Sequence, residues 1–174
     1  MRWLFASVAL LGLAVDVLTK IVVVDRLVPG EPIRLLGGLL TLRLIRNPGA
    51  AFSLGESYTF IFALLSVLVL GFVLLYLLPR VGHTGWAVAL GLLTAGVAGN
   101  LVDRLFRSPG VLRGHVVDFL QLPYWPIFNV ADTCITSAAV FILVLSVVKS
   151  VPVDGQHGTA EPATERAPDA EPGA

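Results

Sequence analysis

The chain has 174 residues, of which 56% are hydrophobic and only 14% charged, and its mean hydropathy is +0.84. Soluble domains carry about a quarter charged residues, so this composition excludes a soluble domain and predicts a polytopic membrane protein. The formal net charge of zero, with no basic cluster, excludes a nucleic-acid-binding protein, and the single cysteine, Cys134, excludes an internal disulfide and a cysteine-based metal cluster.

The first predicted span covers residues 3–24. With about 22 residues it is long enough to cross a bilayer, and no small-residue cleavage site follows it, so we expect a retained helix rather than a signal peptide. Asp16 and Lys20 lie four positions apart on one face of this helix. Charged side chains inside a membrane pair with each other or line a polar cavity. The pair therefore either fixes the packing of the helix or belongs to a functional site.

The pattern of residues 25–57 predicts a small β-rich lobe at the membrane surface. Pro and Gly residues mark turns, and the apolar runs between them have the length of strands. The lobe ends with Asn47, Pro48 and Gly49, which is turn chemistry, and Gly49 would also allow another segment of backbone to come close. This motif is either a simple turn into the next helix or part of a site.

Two further spans are predicted at 58–78 and 86–101. The first of these has no charged residue, and we expect it to face lipid. The other contains Gly91, Ala95 and Gly99 at four-residue spacing, a stripe of small residues that allows close packing of helices in lipid.

The span at 86–101 runs into a polar turn. Asn100, Asp103 and Arg104 lie on neighbouring positions there. They form either the polar wall of a site at the membrane interface or a helix end whose side chains reach out to water.

A segment with two carboxylates, from Val116 to Asp132, leads into the fourth predicted span at 127–148. Asp118 and Asp132 lie fourteen positions apart, and the link between them contains Pro123 and Pro126, which break a helix. The two side chains can therefore meet only if the fold brings them together. Two carboxylates in a low-dielectric site cannot both ionise easily, so one tends to hold a proton while the other acts as a base.

Each carboxylate also has a structural interpretation. Asn129 is a candidate N-cap of the fourth helix with Asp132 as its N3 partner, and Asp118 could be a loop carboxylate that faces water. A capping position also fixes a side chain rigidly. The structural and functional interpretations therefore do not exclude each other.

Four spans place both termini on one side of the membrane and the connections 25–57 and 105–126 on the other. The polar motifs then gather on the side of the connections, which predicts a single site there. Arginines are also more numerous on that side, and counting positive charges alone would place it in the cytoplasm. Beyond the membrane domain, residues 1–150, the composition changes to Pro, Ala, Gly and Glu, so we expect a disordered tail over 151–174.

Five motifs, in this order, resemble those of the lipoprotein signal peptidases, the bacterial type II signal peptidases. They are Asp16 to Lys20, Asn47 to Ser53, Gly96 to Arg104, Gly114 to Phe119 and Phe128 to Asp132. The resemblance covers residues 1–149, and the motifs are specific together although each alone is weak. Two features depart from the family pattern: Ala95 stands where many relatives have glycine, and the segment between Arg104 and Asp118 is longer.

The resemblance implies an all-α membrane protein with four transmembrane helices and a small β-rich extracytoplasmic lobe between spans one and two. It implies an aspartic endopeptidase of the bacterial cell membrane, with its site toward the extracytoplasmic face and its termini in the cytoplasm. Its substrates would be prolipoproteins, cleaved just before a lipobox cysteine that already carries diacylglycerol.

By motif position, Asp118 and Asp132 would be the catalytic dyad. The residues implied to bind substrate or to support the dyad are Asp16, Lys20, Asn47, Gly49, Asn100, Asp103, Arg104 and Asn129. We expect prolipoproteins and membrane lipids as partners, no nucleic acid, no metal or cofactor, and a monomer.

Two other functions fit parts of the pattern. An ion-coupled transporter could use the charged pair of the first span and the two later carboxylates as a relay, but the sequence has no inverted repeat and no interruption within its spans. A non-catalytic scaffold would leave the polar motifs unexplained. We therefore predict a peptidase in which ionised Asp132, at a helix N-terminus, activates water, while Asp118, among apolar neighbours, holds the proton.

Overall fold

Four apolar helices make up most of the chain in the computed structural model, which describes residues 1–49 and 59–155. All four are long and apolar enough to cross a membrane. They are α1 (Arg2–Arg26), α2 (Thr59–Arg80), α3 (Thr84–Phe106) and α4 (Val130–Val148). The end of α2 widens into a π-helical turn and closes with a 3-10 turn, and α4 also ends in a π-helical turn. The prediction of a mostly helical membrane protein with four spans is confirmed.

Two helices differ from the predicted spans at the polar end of the bundle. Hydropathy predicts that the third span ends at residue 101, but α3 continues to Phe106 because its polar side chains find partners within the protein. The fourth span is predicted from residue 127, but α4 begins at Val130 because Asn129 caps it.

The helix α3 lies at the centre of the bundle, and small residues bring its neighbours close. In the most apolar stretch of α3, 61% of the residues are buried, against 22% in the corresponding stretches of α1 and α4. The predicted stripe packs α3 against α1, which confirms its role in close helix packing. Its contacts with α1 are Gly91 with Val8, Ala95 with Gly12, and Gly99 with Asp16. On the side toward α4, Gly96 lies against the backbone of Ala131 and leaves no room for a side chain.

The helix α2 lies at the edge of the bundle. Only 11% of the residues in its most apolar stretch are buried, and its large apolar side chains, such as Phe60, Leu68 and Leu75, are exposed. Exposed apolar side chains on a helix of this length are typical of a surface that faces lipid. This agrees with the prediction from its lack of charge.

A three-stranded antiparallel sheet lies at the end of the bundle where α1 and α3 end and α4 begins. The strands are β1 (Ile33–Leu35), β2 (Leu40–Asn47) and β3 (Val116–Gln121), in that order across the sheet. A 3-10 turn joins β1 to β2, and its Gly37 and Gly38 both have positive φ, which glycine tolerates best.

The third strand corrects the sequence-based picture of the lobe. We predict the lobe from residues 25–57 alone, yet β3 comes from the connection between α3 and α4 and pairs with β2, with Asp118 opposite Ile45. This strand ties the two outer connections into one unit. One face of the sheet packs on the end of α1 through a small apolar cluster of Leu27, Leu44, Val117 and Phe119.

The segment that follows α4 packs back on the opposite end of the bundle. The Trp86 indole N–H donates to the Val151 carbonyl at 2.9 Å, and the Gly82 N–H donates to the Val153 carbonyl at 3.0 Å. These first residues after 150 are therefore held by α3 and by the link before it, a contact that their composition did not indicate. Residues 156–174 and 50–58 lie outside the described part of the chain, so the expectation of a disordered tail stays a prediction for 156–174.

Candidate active site

Asp118 occupies the middle of β3, where alternation places its side chain opposite the apolar cluster. It is only 3% exposed. Two side-chain amides donate to its carboxylate: Asn47 Nδ2 to Oδ2 at 2.8 Å and Asn129 Nδ2 to Oδ1 at 2.7 Å. A buried carboxylate with both oxygens hydrogen-bonded is positioned rigidly, so Asp118 is not a loop carboxylate that faces water.

Asn47, the last residue of β2, is oriented by the turn that follows it. Its Oδ1 accepts the Gly49 N–H at 2.9 Å, which directs its amide nitrogen to Asp118. Gly49 has φ of +130°, and a Cβ there would lie 3.0 Å from the Phe62 ring of α2. The turn therefore requires glycine for both its conformation and its close packing. Residues 50–53 of the motif lie outside the described residues.

Asp132 belongs to the capping box predicted at the start of α4. The Asn129 side-chain oxygen accepts the Asp132 N–H at 2.9 Å, and Asp132 Oδ2 accepts the Asn129 N–H at 3.1 Å. Asn100 of α3 donates through Nδ2 to Asp132 Oδ1 at 2.8 Å. Both oxygens of Asp132 thus accept hydrogen bonds in the first turn of α4, which holds the carboxylate in place.

Asn129 contacts both carboxylates. Its side-chain nitrogen donates to Asp118 and also to Asn100 Oδ1 at 3.2 Å, while its side-chain oxygen and backbone N–H hold Asp132. The residue is fully buried. One asparagine therefore fixes the position of each carboxylate relative to the other.

A buried ammonium group anchors this set of hydrogen bonds. Lys20 is 1% exposed, and its Nζ lies 2.9 Å from an oxygen of Asp16, 2.9 Å from an oxygen of Asp103 and 3.1 Å from Asn100 Oδ1. Because Lys20 and Asn129 both donate to Asn100 Oδ1, the amide nitrogen of Asn100 must face Asp132. Lys20 thus sets the orientation of the donor that holds Asp132.

The two acidic partners of Lys20 reach the backbone beside the candidate dyad. Asp16 Oδ1 accepts the Ala131 N–H at 2.8 Å, and Asp103 Oδ2 accepts the Val117 N–H at 3.1 Å. Ala131 precedes Asp132 and Val117 precedes Asp118 in the chain. The cluster of Asp16, Lys20, Asp103 and Asn100, which we call the buried ionic cluster, therefore positions both candidate segments.

Arg104 lies at the edge of this site with donors to spare. Its guanidinium donates to the Asn100 carbonyl at 3.1 Å and lies 5.8 Å from the centre of the Phe62 ring. Within residues 1–49 and 59–155, its buried Nε has no hydrogen-bond partner. An unpaired donor beside two carboxylates can donate a hydrogen bond to an acceptor of the substrate, such as a peptide carbonyl.

A cavity of about 580 Å³ opens onto both carboxylates. Asp118 and Asp132 line it together with residues of β2 and of the link before α4. The remaining lining residues are Ile45, Arg46, Asn47, Pro48, Trp125, Pro126, Ile127 and Phe128. The two carboxylates thus face one space large enough for a peptide segment.

Sequence reasoning missed part of this cavity wall. Trp125 and Arg46 are not among the residues that the sequence predicts for the site, yet both line the cavity. Recognising the strand β3 in the sequence would have indicated their placement, because Arg46 lies in its partner strand and Trp125 follows it in the chain. Its β-branched and aromatic residues between Gly114-His115 and Pro123 have the composition and length of a strand.

Burial makes the carboxyl of Asp118, which lies outside the membrane spans, a weaker acid than usual. Its pKa rises from 3.8 to about 6, chiefly because burial removes hydration. The charge of Asp132 also raises the pKa, whereas the hydrogen bonds from Asn47 and Asn129 and the charge of Lys20 lower it. A group that titrates near neutrality can hold a proton and release it during a reaction. In the described part of the chain, no group of three or more His, Cys, Asp or Glu side chains could hold a metal ion.

Comparisons with known proteins show what this chain is similar to. Residues 8–148 match the family model described as Signal peptidase (SPase) II. The chain is 46% identical over 162 residues to a protein of Rhodococcus jostii named lipoprotein signal peptidase, covering 90% of this chain and 79% of that protein. It is also 46% identical over 145 residues to the Mycobacterium avium protein of the same name, covering 83% and 79%. A solved bacterial membrane enzyme matches with a TM-score of 0.73 and 25% identity, over 84% of this chain and 88% of that one.

Proposed function

Because the chain belongs to the signal peptidase II family, we propose that it uses Asp118 and Asp132 as a catalytic dyad to cleave prolipoproteins. As a lipoprotein signal peptidase, it removes signal peptides from prolipoproteins. The observation that carries the proposed dyad is Asn129, which binds both carboxylates where they line one cavity. A purely structural pair of carboxylates would have no need of a shared open cavity.

In the proposed reaction, Asp132 is the base and Asp118 the acid. Ionised Asp132 takes a proton from water as the water oxygen bonds to the scissile carbonyl carbon. Protonated Asp118 donates a hydrogen bond to the carbonyl oxygen, which becomes the oxyanion of the tetrahedral intermediate. The proton on Asp132 then passes to the amine nitrogen as the C–N bond breaks. A carboxylic acid and an amine leave, and the dyad returns to one shared proton.

The environments of the two carboxylates support these roles. Asp132 is partly exposed, lies in the first turn of α4 and lines the cavity, where a water molecule can reach its carboxylate. Burial raises the pKa of Asp118 to about 6, which favours the neutral acid.

We predict that kcat/KM for a lipidated precursor falls above about pH 6, by roughly tenfold per pH unit, as Asp118 loses its proton in the free enzyme. The profile of kcat should fall at higher pH than that of kcat/KM, because bound substrate excludes water and raises the pKa of Asp118 further. Rates measured between pH 4 and 9 give both profiles. A kcat/KM that is flat from pH 5 to 9 would contradict the assignment of the proton to Asp118.

The raised pKa of Asp118 also predicts how the stability of the protein depends on pH. The native protein binds the Asp118 proton more tightly than the unfolded chain, whose carboxyl titrates near 3.8, so this group lowers the free energy of unfolding as pH rises from about 4 to 6. The Asp118→Asn variant, which has no proton to lose there, should show a smaller fall in thermal stability over that range.

We infer that the lobe and site face the extracytoplasmic side of the bacterial cell membrane, with both termini in the cytoplasm and the protein acting as a monomer. The proposed substrates carry diacylglycerol on the lipobox cysteine and are cleaved before it. The dyad cavity lies at the ends of the spans, where a lipid-modified residue would reach it from the membrane. The remaining residues act by position: Asp16, Lys20, Asn47, Gly49, Asn100, Asp103 and Asn129 hold the dyad, and Arg104 contacts substrate.

The test is cleavage of a synthetic precursor by the purified protein in lipid nanodiscs. A precursor whose cysteine carries diacylglycerol should be cut, with mass spectrometry placing the new N-terminus at that cysteine. The same peptide without the lipid is the matched control. Equal cleavage of both forms, or a cut elsewhere, would contradict the proposed specificity.

A further inference from the structure

A second cavity, apart from the dyad, lies on the sheet. It has a volume of about 450 Å³, and none of its lining residues also lines the dyad cavity. It is bounded by the sheet strands, the β1–β2 turn and the segment after β3. Its lining residues are Pro32, Arg34, Gly37, Gly38, Thr41, Arg43, Gln121, Leu122, Pro123 and Tyr124.

The floor of this cavity is a polar row across all three strands. Arg34 of β1 pairs with Thr41 of β2, and Thr41 pairs with Gln121 of β3, so the three side chains share one face of the sheet. Arg43 lines the same cavity two residues after Thr41. In β2, Leu42 and Leu44 pack with the apolar cluster on α1, and Thr41 and Arg43 alternate with them, so the polar row lies on the other face.

The two arginines have no acidic partner in the described part of the chain. Neither Arg34 nor Arg43 forms an ion pair there, and no carboxylate lines the cavity. Both side chains are exposed. Two guanidinium groups on one face, beside neutral hydrogen-bonding side chains, fit an anion with several oxygens, such as a phosphate.

Exposed apolar side chains lie beside the residues that line this cavity. Leu36 and Leu39 flank the glycine turn and are 77% and 60% exposed, and Tyr124 is fully exposed. Leu36 and Tyr124 also adopt positive φ, at 51° and 61°, a conformation that costs free energy for such residues. Exposed apolar groups held outward at this cost, next to unpaired arginines, form an amphipathic surface of the kind that enters a bilayer interface.

We propose that this sheet face binds the headgroup of an anionic phospholipid. Arg34 and Arg43 contact the phosphate, and Leu36, Leu39 and Tyr124 enter the acyl boundary beside it. The membrane lipid is the partner because the sheet sits at the ends of the spans, where headgroup phosphates lie above apolar chains. Binding of lipid phosphates also explains why arginines are numerous in the two outer connections, although positive residues usually concentrate in cytoplasmic loops.

Native mass spectrometry of the purified full-length protein tests this binding directly. The protein is titrated with phosphatidylglycerol or with phosphatidylcholine, and bound lipid is counted. We expect wild type to retain phosphatidylglycerol in preference, and the Arg34→Gln/Arg43→Gln variant to bind it about tenfold more weakly. The matched control is Arg2→Gln/Arg80→Gln, two arginines at the other end of the bundle, which should bind like wild type.

Two further measurements separate this surface from the peptidase site and from a simple anion site. Cleavage of precursor in detergent should be unchanged in Arg34→Gln/Arg43→Gln, because neither residue lines the dyad cavity. Inorganic phosphate at millimolar concentration should not displace the lipid, since it lacks the acyl contacts. Equal retention of both lipids by wild type, equal loss in the control variant, or displacement by inorganic phosphate would each overturn the proposal.

Discussion

Asp118→Asn and Asp132→Asn are each expected to lower the rate of prolipoprotein cleavage by about 10²- to 10⁴-fold. Asparagine at position 132 cannot take a proton from water, and asparagine at 118 cannot supply the acidic proton of the proposed dyad. Each change keeps the size and shape of the side chain. The rate is measured on a lipidated precursor under initial-rate conditions in the same nanodiscs as wild type.

The fold should survive both changes. Asp118→Asn loses one of two hydrogen bonds to the carboxylate but also removes the cost of a buried charge. Asp132→Asn weakens the capping box of α4, at a cost of about 1 kcal/mol. Asp25→Asn is the matched control, since Asp25 is exposed at the end of α1 and its one ion pair among the described residues is with its exposed neighbour Arg26. Dyad variants that stay folded and cleave at more than a few per cent of the wild-type rate would refute the assignment.

Lys20→Met is expected to lower both stability and cleavage, although Lys20 does not line the dyad cavity. The change leaves the buried carboxylate of Asp16 without its ammonium partner, while Asp103 keeps its ion pair with Arg107, and breaking a buried pair in this way costs about 3–5 kcal/mol. It also removes one of the two donors that orient the amide of Asn100, which loosens the donor to Asp132. Thermal unfolding in detergent and cleavage rates measure the two effects.

A double variant separates uncompensated charge from lost packing. Asp16→Asn/Lys20→Met also removes the carboxylate that Lys20→Met leaves unpaired, so it should be less destabilised than the sum of its single variants. Arg26→Met, which breaks an exposed pair at the end of the same helix, should leave stability nearly unchanged. If the double variant is destabilised additively, the charge of the buried ionic cluster is not what holds the site.

The meeting of the polar motifs could be predicted from sequence because topology dictates it. Four spans of sufficient length bring the ends of the first and third spans and the starts of the second and fourth to one membrane face. The capping box of Asn129 and Asp132 was also readable, because it depends on residues three positions apart in one helix. The small-residue stripe of α3 follows likewise from local spacing.

The partners across the site could not be predicted. Asn129 binds Asp118, Asn100 and Asp132 at once, and Lys20 reaches Asp103 as well as Asp16. These contacts depend on the rotation of each helix about its own axis, which hydropathy does not determine. The strand β3 was missed for a similar reason. Its partner β2 lies about 70 residues away, and strand formation depends on such tertiary pairing more than on local preference.

Single-turnover cleavage at saturating substrate tests the catalytic role of the dyad most directly. Binding of a lipidated precursor to wild type, Asp118→Asn and Asp132→Asn is measured first, and cleavage is then followed with enzyme in excess and substrate fully bound. We predict that both variants bind the precursor within a few-fold of wild type and yet form almost no product, because the loss is in the chemical step. Variants that bind poorly but cleave at the wild-type rate once saturated would contradict it, since the two carboxylates would then serve binding and not catalysis.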